Sequence, residues 1–297
     1  ACTRYKLFFQ QVQDAIEKHN VSLHIIGGDL FDRVPSMDEL TLYFDFVKDC
    51  NVRTIIFDGN HEATKKNHTF FTNLKRVTEE LNPKVKVITE TFYLHDWAVL
   101  PYADLHRKGS IEDIDDVDYL FTHVRGEIPP HVTPEVDLER FDKFKIVFAG
   151  DLHAHENTQR NIVYPGSPMT TSFHRNVVKT GYLLIDDDWS WTWHEFDLPQ
   201  LLRKTVTSTE DMVQTEWHHT IYEVEGDVSD LSGVKNSDLL DKKVIKRKTE
   251  ATLILDKEMT IEEELAEYLS YILELDETKV KKIIGVFSDN SRKANME

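Results

Sequence analysis

Four short stretches concentrate side chains that can bind a cation or move a proton. Gly28-Asp29-Leu30-Phe31-Asp32 carries two carboxylates, and Gly59-Asn60-His61-Glu62 an amide, an imidazole and a carboxylate. Phe121-Thr122-His123 adds an imidazole, and Gly150-Asp151-Leu152-His153 a carboxylate and an imidazole, with His155 and Glu156 just beyond. Oxygen and imidazole nitrogen without thiolate suit borderline-hard divalent ions, manganese first and magnesium second, rather than a structural zinc site. Two such ions sharing one carboxylate sit ~3.5–4 Å apart and suit in-line displacement at phosphorus. One Asn-His pair after a turn is a chance event, whereas four such stretches in order are not a packing requirement.

Positioning these groups requires strands. Each stretch follows an apolar run: Leu23–Ile26, Thr54–Phe57, Tyr119–Thr122 and Lys145–Ala149. Helical spacing of Phe8, Val12, Ala15, Ile16 and His19 predicts a helix over 3–19. Ser36 with Glu39 reads as a capping box for a second helix with Leu40, Phe44 and Val47 inside. Alternating helix and strand predict parallel strands with crossovers, whose carboxyl ends hold ligands. Phe92–Leu94 with Trp97–Leu100, and Tyr182–Ile185 with Trp189–Phe196, read as hairpins; Trp189, Trp191 and Trp193 make a stripe of hairpin core. The fold class expected is α/β, a two-sheet sandwich. After Leu198-Pro199, "HTIYEVEGDV" and "EATLILD" read as strands of a small α+β domain. Helices follow over 260–275 and 277–287, and a disordered tail from Ser288. A βαβ array starts with a strand, yet this chain opens inside a helix; residues preceding Ala1 are expected.

Composition narrows the function classes. The 297 residues are 40% hydrophobic and 30% charged, as in globular proteins, with no run near the ~20 apolar residues of a membrane span. Two cysteines cannot build a disulfide framework, so a reducing cytoplasm (that of the host, for a viral chain) is expected. The net charge of −18 argues against unaided nucleic-acid binding and suits a carboxylate-lined metal site or a basic partner.

The four motifs resemble those of the calcineurin-like metallophosphoesterases. "YPGSP" at Tyr164–Pro168 narrows the resemblance to the SbcD or Mre-eleven type nuclease subunits, of which bacteriophages carry compact versions. The resemblance covers roughly 1–196 as the nuclease domain. It covers 197–257, as a DNA-binding capping domain, only by position, and 258–290 as a helical segment that docks on a coiled-coil, SMC-like ATPase of the SbcC or Rad-fifty type. It implies a two-manganese centre. Asp29 bridges the ions, Asn60, His123 and Asp151 hold one, and His153 holds the other together with a D-x-H motif expected ahead of Ala1. Asp151 stands where the family pattern has histidine. His61 is implied as the catalytic group at the leaving oxygen. The implied activity is 3′-to-5′ exonuclease and single-strand endonuclease in double-strand-break repair and recombination, by a homodimer joined through early helices.

Weaker readings complete the expectation. Lys65, Lys66, Arg175, Lys243, Lys246 and Arg247 are the candidate DNA contacts, and a solvated face is the alternative for each. Leu265, Leu269 and Ile272 form the candidate partner face, or else pack within the chain. Asp32 reads as a loop hydrogen-bonder, His155 and Glu156 as supports or solvated loop, and His24 as a packed strand residue. Two other functions stay open: a small-molecule phosphodiesterase, and a non-catalytic phosphoesterase-like scaffold.

Overall fold

In the computed structural model, the apolar runs ahead of the four motifs are parallel strands. The structure describes residues 2–65, 68–213, 216–225, 237, 239–245, 260–272 and 275–294. The chain opens with α1 (Cys2–His19), β1 (Leu23–Gly27), α2 (Met37–Asp49) and β2 (Arg53–Phe57), as the spacing predicts. The capping box forms: Glu39 N–H donates to Ser36 Oγ at 3.3 Å and Ser36 N–H to Glu39 Oε2 at 2.7 Å.

Residues 63–91 carry no expected element, yet four form there. A short pair, β3 (Ala63–Lys65) and β4 (His68–Thr69), precedes α3 (Phe71–Leu81) and β5 (Val85–Ile88). α3 turns Phe71, Leu74 and Thr78, recurring at helical spacing, to the core, but it starts at Phe70 with no side-chain cap to mark it in sequence. β5 completes a parallel sheet of order β1-β2-β5.

The second sheet is built from β6 (Phe92–Leu94), β7 (Trp97–Leu100), β8 (Tyr119–His123), β9 (Ile146–Gly150) and β10 (Ile162–Val163), in the order β10-β9-β8-β7-β6. Only the β6–β7 hairpin is antiparallel. A short helix, α4 (Tyr102–Leu105), follows β7. Alternate residues of these strands enter different cores. Leu100, Leu120 and Val147 join Leu105, Phe141 and Tyr164. Val99, Phe121 and Phe148 join Ile55, Phe57 and Ile88 of the first sheet, so this cluster links the two sheets. The far face of the first sheet, Ile56, Val85 and Val87, is covered by Phe46 and Val47 of α2 and Phe71 of α3. Burial on both faces is why the strands read as unbroken apolar runs; each such side chain contributes about 1.5–3 kcal/mol. The hairpin β11 (Gly181–Ile185) and β12 (Trp191–Glu195) also forms. Trp189, expected in its second strand, instead sits in the turn at φ 67° and stacks on Tyr119 with centroids 4.0 Å apart.

The chain divides into two compact units: Ala1–Arg203 with Gln214–Ile221 and Asp238–Leu240, and Lys204–Val213 with Tyr222–Ser237 and Asp241–Glu297. β13 (Leu201–Val206), β14 (His219–Glu225) and β15 (Leu240–Ile245) form a three-stranded sheet. The strand expected at 250–256 lies outside the described residues. α5 (Ile261–Glu267) starts at a second capping box, Thr260 with Glu263, and passes into a π-helical turn, Tyr268–Ile272. α6 (Glu277–Ala294) runs past Phe287, so the first seven residues of the tail expected to be disordered are helical; no proline interrupts it. Among the described residues no helix is long and apolar enough to cross a membrane.

Candidate functional site

β1, β2, β8 and β9 all end at one rim, because they are parallel and in register. Gly27 pairs with Phe57 across the first sheet, and His123 with Gly150 across the second. The chain leaves β1 and β9 in the left-handed region, with Asp29 at φ 52° and Asp151 at φ 98°. Non-glycine residues rarely adopt this conformation and hold it only where surrounding contacts enforce it. Close packing of backbone on the His123 ring is one such contact. A Cβ on Gly28 would strike His123 Nδ1, and a Cβ on Gly150 would strike the Gly27 carbonyl and come within 2.6 Å of the same nitrogen.

His123 is the centre of the cluster and is 1% exposed. Its Nδ1 lies 2.9 Å from the Gly27 carbonyl. A carbonyl only accepts, so Nδ1 carries a proton, and Nε2 is turned to the other motifs. Nε2 stands 3.3 Å from Asp29 Oδ2, 3.9 Å from Asp151 Oδ1 and 3.0 Å from the Asn60 amide. With its NH2 facing Asp29, Asn60 also donates to both carboxylate oxygens, at 3.1 and 3.2 Å. Burial alone would lower the His123 pKa, but the Asp29 hydrogen bond and charge, the Gly27 carbonyl and Asp151 outweigh it and push it up to about 9. Burial likewise opposes ionisation of Asp29, and His123 with the His61 backbone outweigh it and hold that carboxylate below its ordinary value.

His61 is fixed by the same logic. Its Nδ1 donates to the Asp32 carbonyl at 2.8 Å, which leaves Nε2 facing Asp29 Oδ2 at 3.9 Å. The carbonyl bond raises its pKa; burial opposes, and the carboxylates of Asp29, Asp32 and Glu62 add to the rise. An exposed imidazole held toward the protonated form can donate a proton. Asp32 therefore acts through its backbone, with an exposed side chain 3.4 Å from His61 Nδ1.

Two residues outside the expected set hold the loops. Glu62, 0% exposed, accepts from the N–H groups of Asp29 at 2.9 Å, Phe31 at 2.8 Å and Gly59 at 2.8 Å, tying the first two motifs together. Burial pushes its carboxyl up to about 7 against those bonds. Asp58, also fully buried, accepts from Ala103 N–H at 2.8 Å, and burial pushes it up to about 6. Both sit inside or beside a quoted motif, but residue type alone does not separate a buried loop tie from a solvent-facing carboxylate.

The structure brings Asp29, Asn60, His61, His123 and Asp151 together. His153 is exposed, with Nδ1 3.5 Å from Thr171 Oγ1, and among the described residues no ion pair joins it to the cluster. Its loop is firmly held, however. Ser167 N–H donates to the His153 carbonyl at 2.9 Å. His155 donates from Nδ1 to the Tyr164 carbonyl at 2.6 Å and stacks on Trp193. Trp193 in turn donates to the Pro165 carbonyl at 2.9 Å. "YPGSP" and the fourth motif are thus zipped together on the β11–β12 hairpin, and His155 is a support. His24 is a half-buried strand residue beside Phe46.

No group of three His, Cys, Asp or Glu among the described residues is arranged to hold an ion as it stands. The donor chemistry nevertheless fits one: two carboxylates, an amide, and an imidazole whose far nitrogen is bonded to a carbonyl, the usual support of a ligating histidine. Of the candidate DNA contacts, Lys65 and Arg175 are exposed. Lys66, Lys246 and Arg247 lie outside the described residues, and of Lys243 only the backbone in β15 is described. Leu269 is 5% exposed and Leu265 half-buried; the Ile272 side chain is not described.

No family model matches the chain. "Probable exonuclease subunit 1" of Escherichia phage T5 is 36% identical over 292 residues, covering 95% of this chain and 89% of that protein. "Putative phosphoesterase 078R" of Invertebrate iridescent virus 3 is 24% identical over 221 residues, 67% of this chain and 63% of that protein.

Proposed function

The chain belongs to the family of the phage T5 exonuclease subunit, and on that premise we propose that it is a divalent-cation-dependent DNA nuclease subunit. Manganese is the preferred ion and magnesium the alternative. The proposed ligands are Asp29, Asn60, His123, Asp151 and His153. The fold is read as a two-sheet metallophosphoesterase-type sandwich, with 197–257 capping the DNA and 258–290 docking an SMC-like ATPase through Leu265, Leu269 and Ile272. Double-stranded 3′ ends and single strands are the substrates, and a homodimer the working form. The observation that carries the reading is the meeting of Asp29, Asn60, His123 and Asp151 at one strand rim, with His61 turned toward it.

Bound ions would activate water and offset charge on the phosphoryl oxygens. The chain's own residues do the rest. The Gly27 carbonyl keeps the His123 proton on Nδ1, leaving Nε2 as a donor atom. The Asp32 carbonyl orients His61, whose Nε2 gives its proton to the departing oxygen. Glu62 keeps Asp29 and Gly59 in register.

The test uses the full chain, end-labelled linear duplex DNA and single-stranded circles, with manganese, magnesium or EDTA, and calorimetric titration of manganese. Metal-dependent cleavage is expected, with Asp151→Asn weakening manganese binding and turnover. Failure to bind manganese and to cleave either DNA overturns the reading. One alternative is a small-molecule phosphoesterase, which the second relative's name, a putative phosphoesterase, leaves open; hydrolysis of bis(p-nitrophenyl) phosphate without DNA cleavage would select it.

A further inference from the structure

Arg125 follows His123 by two residues and aims its side chain back at the cluster. Its Nε and Nη2 face Asp151 Oδ2 and Oδ1 at 3.4 and 3.3 Å. These distances are long beside the 2.7–2.9 Å of a tight charge-assisted pair. The Asp151 side chain is 8% exposed and that of Arg125 41%. One edge of the guanidinium therefore leans on the ligand cluster while the remainder meets solvent at its mouth. Its backbone is anchored: Arg125 N–H donates to Glu135 Oε1 at 3.0 Å, and Tyr102 OH donates to Glu135 Oε2 at 2.8 Å. The Tyr102 ring stands edge-on to His123 at 5.9 Å.

Charge gives this arrangement a purpose. Asp29 and Asp151 both face His123 Nε2 at the rim where the proposed substrate, a phosphodiester anion, must settle. An uncompensated carboxylate in contact with that anion repels it, more strongly near a protein surface than in bulk water. The Arg125 guanidinium is the cation that faces the Asp151 charge. A planar fork with one edge on a carboxylate and another open is suited to a phosphoryl oxygen.

We propose that Arg125 is a catalytic residue: its guanidinium, braced on Asp151, holds a non-bridging oxygen of the scissile phosphodiester and stabilises the charge that grows there during displacement. The proposal deepens the nuclease reading and rests on it. Arg125→Met and Arg125→Lys are compared with wild type in three measurements. These are kcat and KM on bis(p-nitrophenyl) phosphate at saturating manganese, manganese affinity by calorimetry, and affinity for thymidine 5′-monophosphate with and without metal. Arg125→Met is expected to lower kcat roughly 10²-fold, to weaken nucleotide binding about tenfold in both states, and to bind manganese at least as tightly. Arg125→Lys recovers part of the loss, because an ammonium supplies charge without the fork. Should Arg125→Met not fold, Arg125→Gln is measured instead. Wild-type kcat and nucleotide affinity in a folded variant overturn the proposal. So does loss of manganese binding in step with activity, which makes Arg125 only a counter-ion of Asp151. A wild-type protein that neither binds manganese nor cleaves a phosphodiester overturns the nuclease reading itself.

Discussion

Two histidines of one site are set to different work by what their Nδ1 atoms touch. His123 is buried with Nε2 against Asp29 and Asn60, a ligand's posture, whereas His61 is exposed and faces Asp29 only at 3.9 Å. His61→Gln should keep the fold and manganese affinity while turnover falls roughly 10²- to 10⁴-fold, read from calorimetry beside single-turnover DNA cleavage. Asp58 gives the site a pH signature of its own. Its carboxyl, ordinarily near 3.8, is pushed up to about 6 by burial, and Oδ1 has no hydrogen-bond partner. Below pH ~4 folded and unfolded chains both carry its proton. Between there and about 6 the unfolded chain ionises first, so stability from this group is lost as pH rises. Asp58→Asn should flatten that part of the stability profile in EDTA-treated protein and stabilise it at pH 7 by about 1–3 kcal/mol. Denaturant unfolding across pH 4–8 decides; an unchanged profile removes Asp58 as the source.

At the scale of elements, the rim works because strand ends and loop backbones are brought closer than side chains allow. Gly150 closes β9 against the Gly27 carbonyl and the His123 ring. Gly150→Ala should cost about 1–3 kcal/mol by overpacking and should disturb the His123 ring, visible as loss of manganese affinity in a protein whose circular dichroism stays α/β. A variant with full affinity and stability would show that the rim tolerates separation. The motifs and the strands before them were legible because both sheets are buried on two faces, which leaves apolar runs bounded by glycine. α3 and β5 were not read although Phe71, Leu74 and Thr78 recur at helical spacing: α3 starts at Phe70 with no side-chain cap to announce it, and β5 is only four residues long. The helix continuing beyond Phe287 was also missed: polar residues after Ser288 read as tail, yet nothing in them breaks a helix.

For the molecule as a whole, the charge of −18 sets how DNA must be met. With few phosphate contacts available, the chain alone should bind duplex DNA weakly, and that affinity should fall as salt rises from 50 to 200 mM. Adding the proposed ATPase subunit should raise affinity and steepen the slope. Fluorescence anisotropy at several salt concentrations measures both; tight, salt-insensitive binding by the isolated chain would contradict this. The sequence by itself determined which residue types could do chemistry, that they follow strands, and that the strands are parallel, because motif order and apolar runs are local properties of the chain. Only the tertiary structure decided which of them meet. His123, Asp29, Asn60 and Asp151 share one place, the His153 ring faces Thr171, and Glu62 and Arg125 join. Such choices depend on how far apart two sheets' edges lie and which way each loop turns, and these follow from packing between segments up to about a hundred residues apart, which no local pattern encodes.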